Sequence, residues 1–216
     1  MRNSIVDLKT KYIRDVFTIE DDILLKIKKD MENVNRPIGI NPEDGKLLQI
    51  LIKLSNSKKI LEIGTFYGYS TIWLARSINN DGKIYTIEKD KDSCLKAKNN
   101  FLEAKVDNKI IILNEKAEDI LPKIQDDFDF IFIDAEKNHY LEYLDFAEKR
   151  LKCGGILVAD NTLLSGAVYS DELPYRIRES TKNTMIEFNK RLADNNKYTS
   201  ILLPANDGIT IAIKNF

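Results

Sequence analysis

Two hydrophobic periods alternate along most of this chain. Short, nearly continuous apolar runs read as buried strands at residues 59–63, 83–88, 109–113, 128–133 and 155–160. Between them, apolar positions recur at helical spacing over 70–78, 91–104, 117–124 and 140–151. Strand and helix alternating at this pitch predict an α/β fold, a parallel sheet wrapped by helices. Both ends depart from the pattern. Residues 20–33 place Ile23, Leu24, Ile27 and Met31 on one helical face, which predicts an amphipathic helix outside the main sheet. Asn41-Pro42-Glu43-Asp44 then reads as a helix start, with Asn as cap, Pro in the first turn and acids at the positive dipole end. Near the C-terminus a long helix over 175–193 precedes strands at 199–203 and 210–214. The connection Pro204-Ala205-Asn206-Asp207-Gly208 is short and turn-rich, so these two strands form a hairpin and an antiparallel addition. With no repeat, low-complexity tract or linker, 1–216 reads as one domain and 1–40 as its N-terminal helical extension.

Composition narrows the picture in three ways. A chain of 216 residues with 43% hydrophobic content can bury a full core in one domain. Lys and Arg total 33 against 34 Asp and Glu, so the net charge of −1 gives no global case for nucleic acid, although a local basic face stays open. Cys94 and Cys153 lack metal-type spacing and are expected to be reduced thiols. The charged start Met1-Arg2-Asn3-Ser4 and the lack of any run near the roughly 18 apolar residues of a membrane span predict a soluble, cytoplasmic protein.

The chemistry sits where strands end. Phe128-Asp129-Phe130-Ile131-Phe132-Ile133 terminates in Asp134, and Ile156-Leu157-Val158-Ala159 terminates in Asp160-Asn161. Buried strands that each finish in acid imply a cation nearby, because an unpaired buried carboxylate is costly. In open α/β sheets, ligands bind in the crevice beyond the carboxyl ends of the strands. Asp134, Asp160 and Asn161 would offer three hard oxygens there, a set suited to Mg²⁺ or a similar divalent cation. A turn and N-cap is the plainer reading of Asp160-Asn161 taken alone.

A glycine loop, Gly64-Thr65-Phe66-Tyr67-Gly68, follows the first strand and opens a helix at Ser70. Twenty residues beyond Gly68, Glu88 occupies the usual place of an acid that binds ribose hydroxyls. The Gly-x-x-x-Gly spacing suits a hydride-carrying dinucleotide poorly, since Phe66 stands where the pyrophosphate needs glycine. An adenosyl amino acid fits better, with its ribose at Glu88 and its amino acid end near Glu62, Ser70 and Asp134.

These motifs resemble the cation-dependent class I O-methyltransferases of the catechol and caffeoyl-CoA type. The residues that carry the resemblance are Glu62-Ile63-Gly64 with Gly68-Tyr69-Ser70, Phe132 to Lys137, Asp160-Asn161-Thr162-Leu163 and Asp207-Gly208-Ile209-Thr210. Together they span the chain from about Ile40 to its end. The resemblance implies a Rossmann-like, seven-stranded, mostly parallel sheet with an antiparallel C-terminal hairpin, helices on both faces, and a homodimer. It implies S-adenosylmethionine as methyl donor, bound by Ile40, Glu62, Gly64, Thr65, Ser70, Glu88, Ala117 and Asp134. It also implies Asp134, Asp160 and Asn161 as ligands of Mg²⁺ or another divalent cation, and Lys137 as the catalytic residue. Plant members carry Asn and Trp where this chain reads Leu164-Ser165, which turns the expectation away from caffeoyl-CoA. The acceptor expected is a hydroxyl beside a second oxygen, on a catechol-like phenol. Some bacterial members methylate 5-hydroxyuridine in tRNA, so the anticodon loop is the alternative acceptor. Lys9, Lys11, Arg14, Lys26, Lys28 and Lys29 would then face phosphates, or else form a solvated helix face. His139 reads as a surface residue or a cofactor neighbour, and Trp73 as core.

Overall fold

A computed structural model describes residues 7–34 and 39–216. The parts of the N-terminal extension at 1–6 and 35–38 lie outside the described residues. Seven strands form one sheet in the order β3-β2-β1-β4-β5-β7-β6. They are β1 (Lys59–Ile63), β2 (Lys83–Ile87), β3 (Ile110–Leu113), β4 (Phe128–Ile133), β5 (Leu151–Asp160), β6 (Tyr198–Leu203) and β7 (Ile209–Lys214). The first five are mutually parallel, and β7 runs antiparallel to both β5 and β6. The expected hairpin is therefore present, and its second strand is the one that inserts beside β5.

Among the described residues eight α-helices accompany the sheet: α1 (Leu8–Phe17), α2 (Asp22–Glu32), α3 (Pro42–Ser55), α4 (Tyr69–Ala75), α5 (Lys91–Glu103), α6 (Ala117–Ile120), α7 (Tyr140–Arg150) and α8 (Glu179–Leu192). The cap expected at Asn41 is a full capping box, with Asp44 accepting from the Asn41 backbone N–H at 3.1 Å. α8 begins four residues later than the pattern predicts. Pro174 and the left-handed Arg176 (φ +77°) break the helical path before it.

Strand residues alternate between two apolar layers. Ile60, Ile84, Phe130, Phe132, Ile156 and Val158 pack with α2 to α5. Leu61, Ile63, Ile131, Ile133, Leu157 and Ala159 pack with α7 and α8. Phe128 breaks the alternation: it lies with the second layer although Phe130 lies with the first. A register irregularity between Phe128 and Phe130 accounts for the switch, because one slipped position exchanges the faces of a strand. Trp73 is core, 3% exposed beside Gly45, where a Cβ would stand 2.7 Å from the indole. Among the described residues no helix is long and apolar enough to cross a membrane.

Candidate active site

Strand order reverses between β1 and β4, where β1 is flanked by β2 on one side and β4 on the other. This switch point is where an open α/β sheet leaves a crevice at its carboxyl end. A cavity of about 1020 Å³ lies there, lined among others by Gly64, Thr65, Ser70, Glu88, Ala117, Asp134, Lys137 and Asn161. Residues brought together from five separate segments thus share one wall.

The glycine loop owes its path to two close approaches. Gly64 adopts φ +104°, and a Cβ there would stand 2.1 Å from the Asp134 carbonyl oxygen. Gly68 adopts φ +81°, and its Cβ would strike the Phe101 ring at 2.3 Å. Between them Phe66 is left-handed without being glycine (φ +48°). Its conformation is held by stacking on Tyr67, with ring centroids 4.0 Å apart, and by donation of its N–H to Glu88 Oε2 at 2.8 Å. Glu88 also accepts the Asp90 N–H at 2.8 Å. Two backbone amides therefore orient its carboxylate, and the lone pairs that remain can meet hydroxyls.

Glu62 is set back from the cavity wall. It faces the layer of α4, is fully buried, and does not line the cavity. Its oxygens accept from Ser70 Oγ at 2.6 Å, Thr71 Oγ1 at 2.5 Å and Thr86 Oγ1 at 2.6 Å. Burial pushes its carboxyl up to about 7, against the lowering by these three hydroxyls. Ser70, which lines the cavity, links it to Glu62 through its hydrogen bond. Ile40 is likewise buried and absent from the cavity wall.

Beyond β4 and β5 the two acids face one another electrostatically. Asp160 is 4% exposed; burial and then the Asp134 carboxylate push its carboxyl up to about 7, while Lys137 opposes the rise. Lys137 Nζ donates to Asp134 Oδ1 at 3.3 Å and to the Asp160 carbonyl at 3.0 Å. It also donates to the Tyr140 hydroxyl, which itself bonds the Asp160 carbonyl at 3.0 Å. Burial, then the charges of Asp134 and Asp160, hold the Tyr140 phenol well above its ordinary range, so it stays neutral. Asn161 is left-handed (φ +56°), and its buried Nδ2 has no hydrogen-bond partner. A half-turn of the amide exchanges nitrogen and oxygen, so this unpaired edge can present Oδ1. Among the described residues no three His, Cys, Asp or Glu side chains cluster for an ion. A mixed set, two carboxylates and an orphaned amide, is what remains, and it fits a hard divalent cation.

Tyr140 was not anticipated, although its position three residues after Lys137 at a helix start is a usable signal. Met31, Asn33 and Val34 also line the cavity from the end of α2 and the residues after it, a contribution no local pattern reveals. His139 pairs with Glu142 at 3.1 Å and is not part of the cavity wall.

Comparison with known proteins agrees with this geometry. The O-methyltransferase family model matches residues 17–215. A catechol O-methyltransferase of Niastella koreensis is 38% identical over 176 residues, covering 79% of this chain and 80% of that protein. A caffeoyl-CoA O-methyltransferase of Populus kitakamiensis is 34% identical, covering 81% and 77%. The O-methyltransferase TomG from Streptomyces achromogenes, involved in tomaymycin synthesis and solved in complex with SAM, superposes with a TM-score of 0.88 at 31% identity. Both chains are fully covered. A doubly wound sheet with its cavity at the switch point defines an α/β ligand-binding fold. The chain belongs to the O-methyltransferase family, that of the catechol and caffeoyl-CoA O-methyltransferases, and is an S-adenosylmethionine-dependent enzyme.

Proposed function

We propose that this enzyme methylates a hydroxyl adjacent to a second oxygen on a catechol-like small molecule, with a divalent cation such as Mg²⁺ held by Asp134, Asp160 and Asn161. The observation that carries the reading is the convergence of Lys137 with Asp134 and Asp160 at the ends of β4 and β5, beside the cavity. S-adenosylmethionine supplies the methyl group. A cation at the three ligands lowers the pKa of a hydroxyl presented to it and fixes that oxygen's direction. The chain's own residues do the rest. Glu88, oriented by the Phe66 and Asp90 amides, accepts the ribose hydroxyls. Thr65, Ser70 and Ala117 line the donor's bed, Gly64 brings the loop up to Asp134, and Asp134 also meets the donor's amino group. Ile40 and Glu62 support that bed from behind. Lys137 Nζ either takes the acceptor's proton or stabilises its oxyanion by donating to it, steered by the Tyr140 hydroxyl. Positioning and exclusion of water then lower the barrier, because the two opposite charges vanish as the methyl moves.

Four of the six N-terminal cations, Lys11, Arg14, Lys26 and Lys28, are already paired with carboxylates, which favours a small acceptor over the tRNA anticodon loop. Arg14 is bidentate to Glu43 at 2.9 Å. Lys28 pairs with Glu20 at 2.7 Å, and Lys11 and Lys26 pair with Asp15 and Glu103. Each would have to leave a carboxylate to meet a phosphate. Labelled S-adenosylmethionine, offered with a panel of catechols or with hypomodified tRNA, tests the proposal. Transfer to catechols, abolished by chelator and restored by Mg²⁺, is the expected result. Transfer to tRNA alone, falling steeply with salt, overturns it. In this reading the enzyme works as a homodimer, which sedimentation of the purified chain checks.

A further inference from the structure

The tip between β6 and β7 carries Asn206-Asp207-Gly208, a motif the chemistry above leaves without a role. It grips the turn that follows Asp160. Thr162 and Leu163 donate their N–H groups to the Gly208 and Asp207 carbonyls at 3.0 and 2.9 Å. The Ser165 N–H donates to Asp207 Oδ1 at 2.6 Å. Thr162 is held further by Thr210 Oγ1 at 2.9 Å and by Asn189 Nδ2, which reaches its carbonyl at 2.8 Å. On the other side of the tip, Asn206 Nδ2 donates to Asp44 Oδ2 at 3.1 Å, tying it to the start of α3. Gly208 is packed so closely that a Cβ would lie 2.9 Å from the Leu163 backbone nitrogen.

The gripped turn contains three non-glycine residues at positive φ: Asn161 (+56°), Leu164 (+51°) and Ser165 (+53°). Residues with a Cβ keep such conformations only where their surroundings over-determine them. Asn161 lies on the cavity wall with its amide edge unpaired, so the direction of that edge depends on the turn.

We propose that Asp207 is a positioning residue for Asn161: by accepting the Ser165 N–H it locks the left-handed turn that aims the Asn161 amide at the ends of β4 and β5. The inference rests on the reading of Asp134, Asp160 and Asn161 as cation ligands, and predicts that Asp207 controls cation affinity without touching the cation. Mn²⁺ binding, followed by electron paramagnetic resonance with S-adenosylhomocysteine present, tests it in the full-length protein. Asp207→Ala should weaken Mn²⁺ binding about tenfold while S-adenosylhomocysteine affinity, by calorimetry, stays unchanged; Asp207→Asn, which keeps an acceptor oxygen, should restore wild-type binding. Asp207→Ser replaces the alanine variant, with the same expectation, if that variant does not fold. Unchanged Mn²⁺ affinity in a folded Asp207→Ala or Asp207→Ser protein overturns the inference alone, as does an equal loss in Asp207→Asn. A wild-type protein that binds no Mn²⁺ overturns the cation reading and the inference with it.

Discussion

The Lys137 ammonium reaches the backbone carbonyl of Asp160 at 3.0 Å and so joins the ends of two neighbouring strands. A solvated lysine would not be drawn inward to an acid, a carbonyl and a buried phenol together. Lys137→Met, which keeps the length of the side chain and removes its charge, should lower kcat by about 10²–10⁴-fold. Its affinity for S-adenosylhomocysteine should stay within a few-fold of wild type. Single-turnover kinetics beside calorimetry separate the two, and a variant that keeps wild-type kcat removes Lys137 from the chemistry.

Tyr140 offers a graded version of the same test. Its hydroxyl, on a fully buried side chain, bonds Lys137 Nζ and the Asp160 carbonyl. Tyr140→Phe should cost about 1–3 kcal/mol in stability, since polar partners lose a bond in a dry environment. It should also lower kcat less than the loss of Lys137 does. A chemical denaturation curve gives the first quantity and initial rates the second.

Burial of Glu62 couples stability to pH. Its carboxyl titrates near 4.5 when unfolded and about 7 when folded, so the folded state holds the extra proton between these values. The stability this group contributes is full below pH 4.5, falls as pH rises through the window, and is gone above 7. The difference is roughly 3 kcal/mol by linkage. Urea midpoints of the ligand-free protein at pH 5 and pH 8 should show that fall, and Glu62→Gln should make it smaller, leaving the part that Asp160, also raised to about 7, contributes. Parallel pH slopes in the two proteins would count against a buried, proton-binding Glu62.

Gly64 should tolerate no side chain. An alanine there meets both a left-handed backbone and a carbonyl oxygen 2.1 Å from its Cβ. Gly64→Ala is expected to lose at least about 2 kcal/mol of stability and most of its affinity for S-adenosylhomocysteine. Thermal melts with and without that ligand report both. A normal ligand-induced rise in Tm would show that the loop does not need this approach.

Local pattern alone determined the strands, most helices, the hairpin and the acids that end β4 and β5. These depend on periodicity and on turn chemistry, which act over a few residues and can be read from them. Tertiary structure alone decided three things. Glu62 faces α4 and its hydroxyls, because the parity of β1 against its neighbours sets the face. Phe128 changes layers through a slip in the pairing of β4 with β5. Asp207 and Asn189 meet around one turn from distant parts of the chain, and Asp44 holds the tip that carries Asp207. Such meetings depend on how elements pack and cross, and no run of neighbouring residues encodes them.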